Sequence, residues 1–284
     1  MTQRIAVTGA SGYIGQALIK ELLRRNIEPY AISRTPLDEK LSGTPFLQVK
    51  EYTETPAMPD TILVHLAETS LISDVERQGE CYIAKASNQT AALLRKNWKR
   101  VVYASSGQVY GTKTSVPHSP DDAVVRDCVY SRAKLQSEKL VQDAGGAVAR
   151  IGNVYGPPIK QGTVFADILN QLSAPGAMKI RDKQPARDYL WIDDVAKGLA
   201  DIALGAATGI YNLGSGVAIT AGDIARTLLR IHGSSDRDII SLADPKRTTT
   251  NTVLLDSSMT TEAFGWQPAI SLDEGLTKLM RGIE

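Results

Sequence analysis

The chain has 284 residues, with 32 lysines and arginines against 31 aspartates and glutamates and a formal net charge of +1, a balance that argues against nucleic-acid or membrane-surface binding through bulk charge. Its 43% apolar and 22% charged residues exclude disordered and collagen-like classes, and two isolated cysteines, Cys81 and Cys128, give neither a disulfide framework nor a metal cluster. No apolar run approaches the roughly 18 residues of a membrane span and no signal-peptide stretch follows Met1, so a cytoplasmic location without a membrane partner is expected.

The first half alternates short apolar runs with amphipathic stretches, the pattern of βαβ units on a parallel sheet. Residues 5–7 read as the first strand, 14–25 as a helix and 30–32 as the second strand. The stretch 35–59 is rich in Pro and Thr, and only a short strand at 46–49 is expected there. Alternation resumes with strands at 62–67, 101–104 and 147–150, and helices at 80–96 and 130–142. Beyond Gly156-Pro157-Pro158 the elements shorten. The expected fold is α/β, a doubly wound parallel sheet over residues 1–156, with a smaller C-terminal lobe made of 157–187 and 208–284. Residues 188–207 are expected to return to the sheet through the strand 189–192 and a helix at 195–204.

Between the first strand and first helix lies Thr8-Gly9-Ala10-Ser11-Gly12-Tyr13-Ile14-Gly15. Gly9 permits a tight turn, Gly12 lets backbone approach a pyrophosphate, and Gly15 lets the helix pack closely on the sheet. In this strand-loop-helix setting the spacing predicts a Rossmann dinucleotide site, with Gly9, Ser11, Gly12, Tyr13, Ile14 and Gly15 against the cofactor. The second strand ends in Ser33-Arg34, where an acidic residue would select a ribose 2′-OH. A hydroxyl followed by a guanidinium suits a 2′-phosphate and favours NADP(H), with NAD(H) as the alternative if Arg34 is merely a solvated loop cation.

Tyr130 and Lys134 stand four residues apart at the start of a helix, hence on one face. A nearby ammonium stabilises phenolate, so such a pair exchanges protons with a carbonyl or alcohol. The preceding strand ends in Ala104-Ser105-Ser106-Gly107-Gln108-Val109-Tyr110-Gly111, which brings a hydroxyl to the edge where open α/β sheets bind ligands.

Together these residues resemble the extended short-chain dehydrogenase/reductase family, the NAD-dependent epimerase/dehydratase group that acts on nucleotide sugars. The likeness runs over nearly the whole chain. It includes His65-Leu66-Ala67, Arg150 with Asn153-Val154-Tyr155-Gly156-Pro157, Arg187-Asp188-Tyr189 with Asp193-Asp194-Val195, Tyr211 to Gly216, and Phe264-Gly265-Trp266-Gln267-Pro268. The resemblance implies Ser106, Tyr130 and Lys134 as catalytic residues, with Ser106 on the substrate oxygen, Tyr130 as acid/base and Lys134 on the nicotinamide ribose. It also implies Leu66 and Ala67 beside the cofactor, and Asn153, Arg187 and Arg247 on the nucleotide sugar. It is compatible with a homodimer built on the long helices.

Departures narrow the activity. Gly107 and Gln108 stand where the dehydratase branch carries an acidic pair, which disfavours a 4,6-dehydratase, and Thr248-Thr249 replace the Pro-Gly expected after the clamp arginine. The expected activity is NADPH-dependent reduction of a 4-keto nucleotide sugar with Tyr130 as general acid. A nucleotide-sugar 4-epimerase with tightly bound NAD and a non-catalytic dinucleotide-binding sensor are the alternatives. Trp98, Trp191 and Trp266 are read as packing residues, and the scattered His65, His118 and His232 as no metal site.

Overall fold

The computed structural model describes residues 3–69, 71–112, 116–159, 161–243 and 251–282. In chain order, β1 (Arg4–Thr8), α1 (Tyr13–Arg24), β2 (Glu28–Ser33), β3 (Phe46–Gln48), β4 (Thr61–His65), α2 (Ile72–Gln78), α3 (Glu80–Leu94), β5 (Arg100–Ser106), α4 (Val129–Asp143) and β6 (Ala147–Ile151) make the first half. There follow β7 (Asn153–Tyr155), α5 (Val164–Leu169), β8 (Met178–Ile180), β9 (Ala186–Trp191), α6 (Ile192–Leu204) and β10 (Gly209–Leu213). Last come β11 (Ala218–Thr220), α7 (Ala221–His232), β12 (Ile239–Ser241), β13 (Thr252–Val253), α8 (Ser258–Phe264) and α9 (Leu272–Arg281).

The large sheet has seven strands in the order β3-β2-β1-β4-β5-β6-β10, and every neighbouring pair is parallel. Strand order reverses between β1 and β4, which opens a crevice beyond their carboxyl ends. Both faces are covered, so successive residues of one strand enter different cores. Ile5, Val7, Ile62, Val64, Val102 and Ala104 pack with Leu18 and Leu22 of α1 and Val195 and Leu199 of α6. Their neighbours Ala6, Leu63, Val101 and Tyr103 pack with Leu93, Trp98 and Val141 on the other side. As the composition of 35–59 implies, β2 and β4 are separated only by β3 and by short 3-10 turns at Glu39–Leu41 and Tyr52–Glu54.

The expected return to the large sheet through 189–192 is corrected. β9 instead pairs with β7, β11 and β13 in a second, mixed sheet. The seventh large-sheet strand is β10, at residues expected in the smaller lobe. A short apolar run does not reveal which sheet it joins; the helix beside it does. α6 buries Val195, Leu199, Ile202 and Ala203 on the large sheet and so acts as the crossover that delivers β10 parallel to β6. The helix α2 is also additional, a single apolar anchor, Val75, having left no period to read. All three tryptophans are buried, as the packing reading expects. Among the described residues no helix is long and apolar enough to cross a membrane, and no group of three His, Cys, Asp or Glu side chains is placed to hold a metal ion.

Buried polar groups tie together the elements around the two sheets. Tyr13 donates its hydroxyl to the Gly156 carbonyl at 2.7 Å. The Asp188 carboxylate accepts from Ser215 N, Ser215 Oγ, Gly216 N and Leu255 N at 2.6–3.1 Å. Behind β5, Arg150 Nη2 lies 2.8 Å from Glu138 Oε2, both side chains almost wholly buried, and Nη1 donates to the Pro120 carbonyl at 3.2 Å. Removing one member strands the other charge in the core. Arg150→Met should therefore lower unfolding free energy in urea by about 3–5 kcal/mol, and adding Glu138→Leu should restore part of that loss.

His65 ends β4 fully buried, with Nδ1 2.7 Å from Thr8 Oγ1. Burial pulls the imidazole down to about 4, with Glu68 opposing and Lys134 adding to the effect. The unfolded imidazole takes up a proton near pH 6.5 while the folded one stays neutral, so acid favours unfolding between those two values. Stability should fall by up to about 3 kcal/mol as pH drops from roughly 6.5 to 4. His65→Gln should flatten that part of the urea-derived stability profile.

Candidate active site

The glycine loop is shaped by backbone approach. Gly9 has φ +72°, and a Cβ there would lie 3.0 Å from the Leu66 carbonyl carbon at the end of β4. At Gly15 a Cβ would meet the Gly9 carbonyl oxygen at 2.3 Å, so only glycine lets α1 start this close to the turn. The helix begins at Gly12 with no side-chain cap, leaving its first-turn N–H groups available to an anion. Ser11 Oγ lies 2.8 Å from Thr35 Oγ1, which ties the loop to the end of β2. The Tyr13 ring reaches away to Gly156, so that residue faces the loop through its backbone, as Ile14 does from the same first turn. This cradle fits the pyrophosphate of a dinucleotide.

At the end of β2 the two candidate residues part company. Ser33 is wholly buried and donates its hydroxyl to the Thr35 carbonyl. Arg34 is exposed, its guanidinium carbon 5.8 Å from the centre of the Tyr52 ring. Across the crevice, Leu66 N donates to the Thr8 carbonyl at 3.2 Å and Gln89 Nε2 donates to the Ala67 carbonyl at 3.0 Å, fixing the backbone that follows β4.

Ser106 closes β5 and caps the turn after it, its Oγ accepting from Gln108 N at 3.2 Å. A side chain at Gly107 would press on buried Leu255, its Cβ 2.9 Å from Leu255 Cδ2. α4 starts at a reciprocal cap between Cys128 and Ser131. Glu76 of α2 accepts from Val129 N and Tyr130 N at 3.2 and 3.0 Å, so a carboxylate sits on the first turn where the helix dipole favours it. The Tyr130 ring is buried among Val75, Tyr82, Ile83 and Ala86, which explains what α2 and α3 hold in place.

One turn on, Lys134 is also buried. Its Nζ lies 3.0 Å from Glu68 Oε2, donates to the Ala104 carbonyl at 3.1 Å, and stands 6.0 Å from the centre of the Tyr130 ring. Glu68 also accepts from Tyr103 OH at 2.7 Å and Ser137 Oγ at 2.8 Å. Burial would push this carboxyl up, but Lys134, then His65 and the two hydroxyls, hold it below the usual carboxylate range. Burial likewise opposes the ammonium, but Glu68, followed by Tyr130 and Tyr82, more than compensates, raising Lys134 above an ordinary lysine. Sequence reasoning stopped at Ala67 and missed Glu68. The available signal was a charged residue three positions after a fully buried parallel strand, at the edge where ligands bind.

On the second sheet, Asn153 is exposed on β7 and pairs with Tyr189, and Arg187 lies two residues back on the same face of β9. Arg187 Nη1 and Nη2 donate to Asn251 O and Oδ1 at 2.7 and 2.8 Å, neutral acceptors that leave its charge uncompensated by these bonds. Arg247 lies outside the described residues, as do Thr248 and Thr249.

The sequence profile of the NAD dependent epimerase/dehydratase family matches residues 5–214. The chain is 26% identical to the dTDP-4-dehydro-6-deoxyglucose reductase of Escherichia coli, over 98% of this chain and 97% of that one. It is 25% identical to the UDP-glucose 4-epimerase of Mycolicibacterium smegmatis, over 97% and 96%. The fold is shared with the Thermotoga maritima UDP-glucose 4-epimerase solved with UDP-glucose, at a TM-score of 0.83 and 21% identity over 99% and 100% of the two chains. With the glycine cradle, the Tyr130–Lys134 helix and a profile match over most of its length, the chain is an enzyme of the NAD dependent epimerase/dehydratase family.

Proposed function

We propose that the protein is an NADPH-dependent reductase of a nucleotide-linked 4-keto sugar. The observation that carries the choice of reductase is Arg34, an exposed guanidinium at the end of β2 where no acidic side chain opposes a 2′-phosphate. Ser33 contributes nothing to that preference, its hydroxyl being committed to Thr35. The nicotinamide cofactor, when bound, supplies the hydride to the sugar carbonyl carbon. Ser106 donates a hydrogen bond that orients the carbonyl oxygen, and Tyr130 gives the proton that turns the developing alkoxide into an alcohol. Lys134 would hold the nicotinamide ribose and sets the charge beside the Tyr130 ring. Arg187 and Arg247 clamp the substrate pyrophosphate, a role suited to guanidinium forks, while Asn153 contacts the sugar. At Gly107 there is neither a carboxylate nor room for one without moving Leu255, which supports reduction over water elimination.

A 4-epimerase retaining NAD is the second reading, favoured by the relatives that carry that name. The intact Ser106, Tyr130 and Lys134 speak against a non-catalytic sensor, because sensing needs no proton donor.

Cofactor choice is tested by fluorescence titration. Arg34→Ala should weaken NADPH binding about tenfold or more while leaving NADH nearly unchanged, the size of one charge-assisted bond. Wild-type protein that binds NADH more tightly than NADPH, or purifies with NAD that does not exchange, would turn the assignment to the epimerase.

The chemistry is tested with Tyr130→Phe, which keeps the ring in its pocket and removes the transferable proton. The variant should fold and bind dinucleotide normally, yet lose about 10²- to 10⁴-fold in turnover of a keto-sugar nucleotide. Undiminished turnover would show that another group supplies the proton.

A further inference from the structure

Lys134 does not meet Tyr130 as a free cation. Its ammonium is already held by the Glu68 carboxylate at 3.0 Å and by the Ala104 carbonyl at 3.1 Å, and only 8% of the Lys134 side chain and 3% of the Glu68 side chain are exposed. Tyr103 and Ser137 fix both carboxylate oxygens from β5 and α4, so the pair cannot drift apart without breaking three further bonds. In so dry a site a lone ammonium beside a phenol draws it strongly toward phenolate. A carboxylate in direct contact with that ammonium cancels most of the pull.

We propose that Glu68 is a positioning residue that fixes Lys134 and neutralises it toward Tyr130, so that Tyr130 stays in the proton-donating phenol form and the site is biased toward reduction. The proposal rests on the reading of Tyr130 as general acid and adds a reason why the site starts from the proton-donating state. An enzyme that begins by oxidising an alcohol needs phenolate as base; one that only reduces a carbonyl needs phenol as acid.

The other titratable groups facing the pair do not take over this role. His65, from the end of β4, is neutral above about pH 4. Tyr82 of α3 and Tyr103 of β5 are pushed up by burial first and Glu68 second, and so remain neutral phenols. Glu138 of α4 is engaged by Arg150, and Glu76 of α2 by the N–H groups that open α4. At the mouth, Arg132 is paired with Glu80. Glu68 is the carboxylate in direct contact with Lys134.

The test is an ultraviolet difference titration of the ligand-free protein, in which the tyrosinate step lost in Tyr130→Phe identifies the residue. Glu68→Gln should move that step down by about one to two pH units, the effect of uncovering a unit charge a few ångströms away. Lys134→Met should move it up, and the double variant should return to within about half a unit of wild type. In reductive turnover, which needs the phenol, the alkaline limb of the kcat profile should move down with Glu68→Gln by the same amount. A Glu68→Gln step that coincides with wild type would overturn the proposal. Should that variant fail to fold, the comparison of Lys134→Met with Glu68→Gln/Lys134→Met decides: equal steps in the two sink it, and a double variant about one unit lower supports it. If no keto-sugar nucleotide is turned over at all, the proposed function fails while the titration still answers for Glu68.

Discussion

The crevice on which everything else depends is set by how closely the backbone after β1 passes the backbone after β4. Gly9 lies against Leu66 with no room for a side chain, and Thr8 bonds both to Leu66 N and to the ring of His65. With that contact made, the glycine loop, the first turn of α1 and the residues after β4 share one edge of the sheet. α4 then packs beyond β5, so Tyr130 and Lys134 arrive at the same edge from the other side. A larger residue at Gly9 would separate the glycine loop from Glu68, and hence from Tyr130 and Lys134.

Two of the buried charges sit on α4. Lys134 and Glu138 sit one turn apart on that helix, and each meets an opposite charge from a neighbouring element, Glu68 and Arg150. Hydroxyls of Ser105, Tyr103 and Ser137 satisfy what the ion pairs leave over. Such pairs contribute little net stability compared with apolar packing of the same volume. Their retention next to the site points to placement and charge balance as their use, and it makes α4 a helix whose register cannot slip.

Much of this was legible in the chain itself. Glycines at 9, 12 and 15 between an apolar triplet and an amphipathic helix have one economical explanation, and Tyr130 with Lys134 on a helix after a strand ending in Ser106 has another. What failed to show was anything decided by three-dimensional neighbours. Residues 189–192 and 209–213 are equally short and apolar, and which of them joins the large sheet is settled by the crossover through α6. Ser33 looked like a ligand because of its place at the end of β2, but a neighbouring carbonyl two residues on takes its hydroxyl. Glu68 went unnoticed because its partner, Lys134, is 66 positions away in sequence.

On β9, adjacent residues do opposite work. Asp188 points inward and gathers four donors from the loops at 215, 216 and 255, while Arg187 and Tyr189 point to the other face with Asn153. Inward anchoring and outward display are thereby segregated on alternating positions of one strand. Drift at 187 and 153 costs the scaffold less than drift at 188, which strands four donors, while Tyr189 belongs to the packing, its ring centre 5.2 Å from that of Phe165. A lineage built on this strand is free to explore new ligands one substitution at a time without passing through unfolded ancestors.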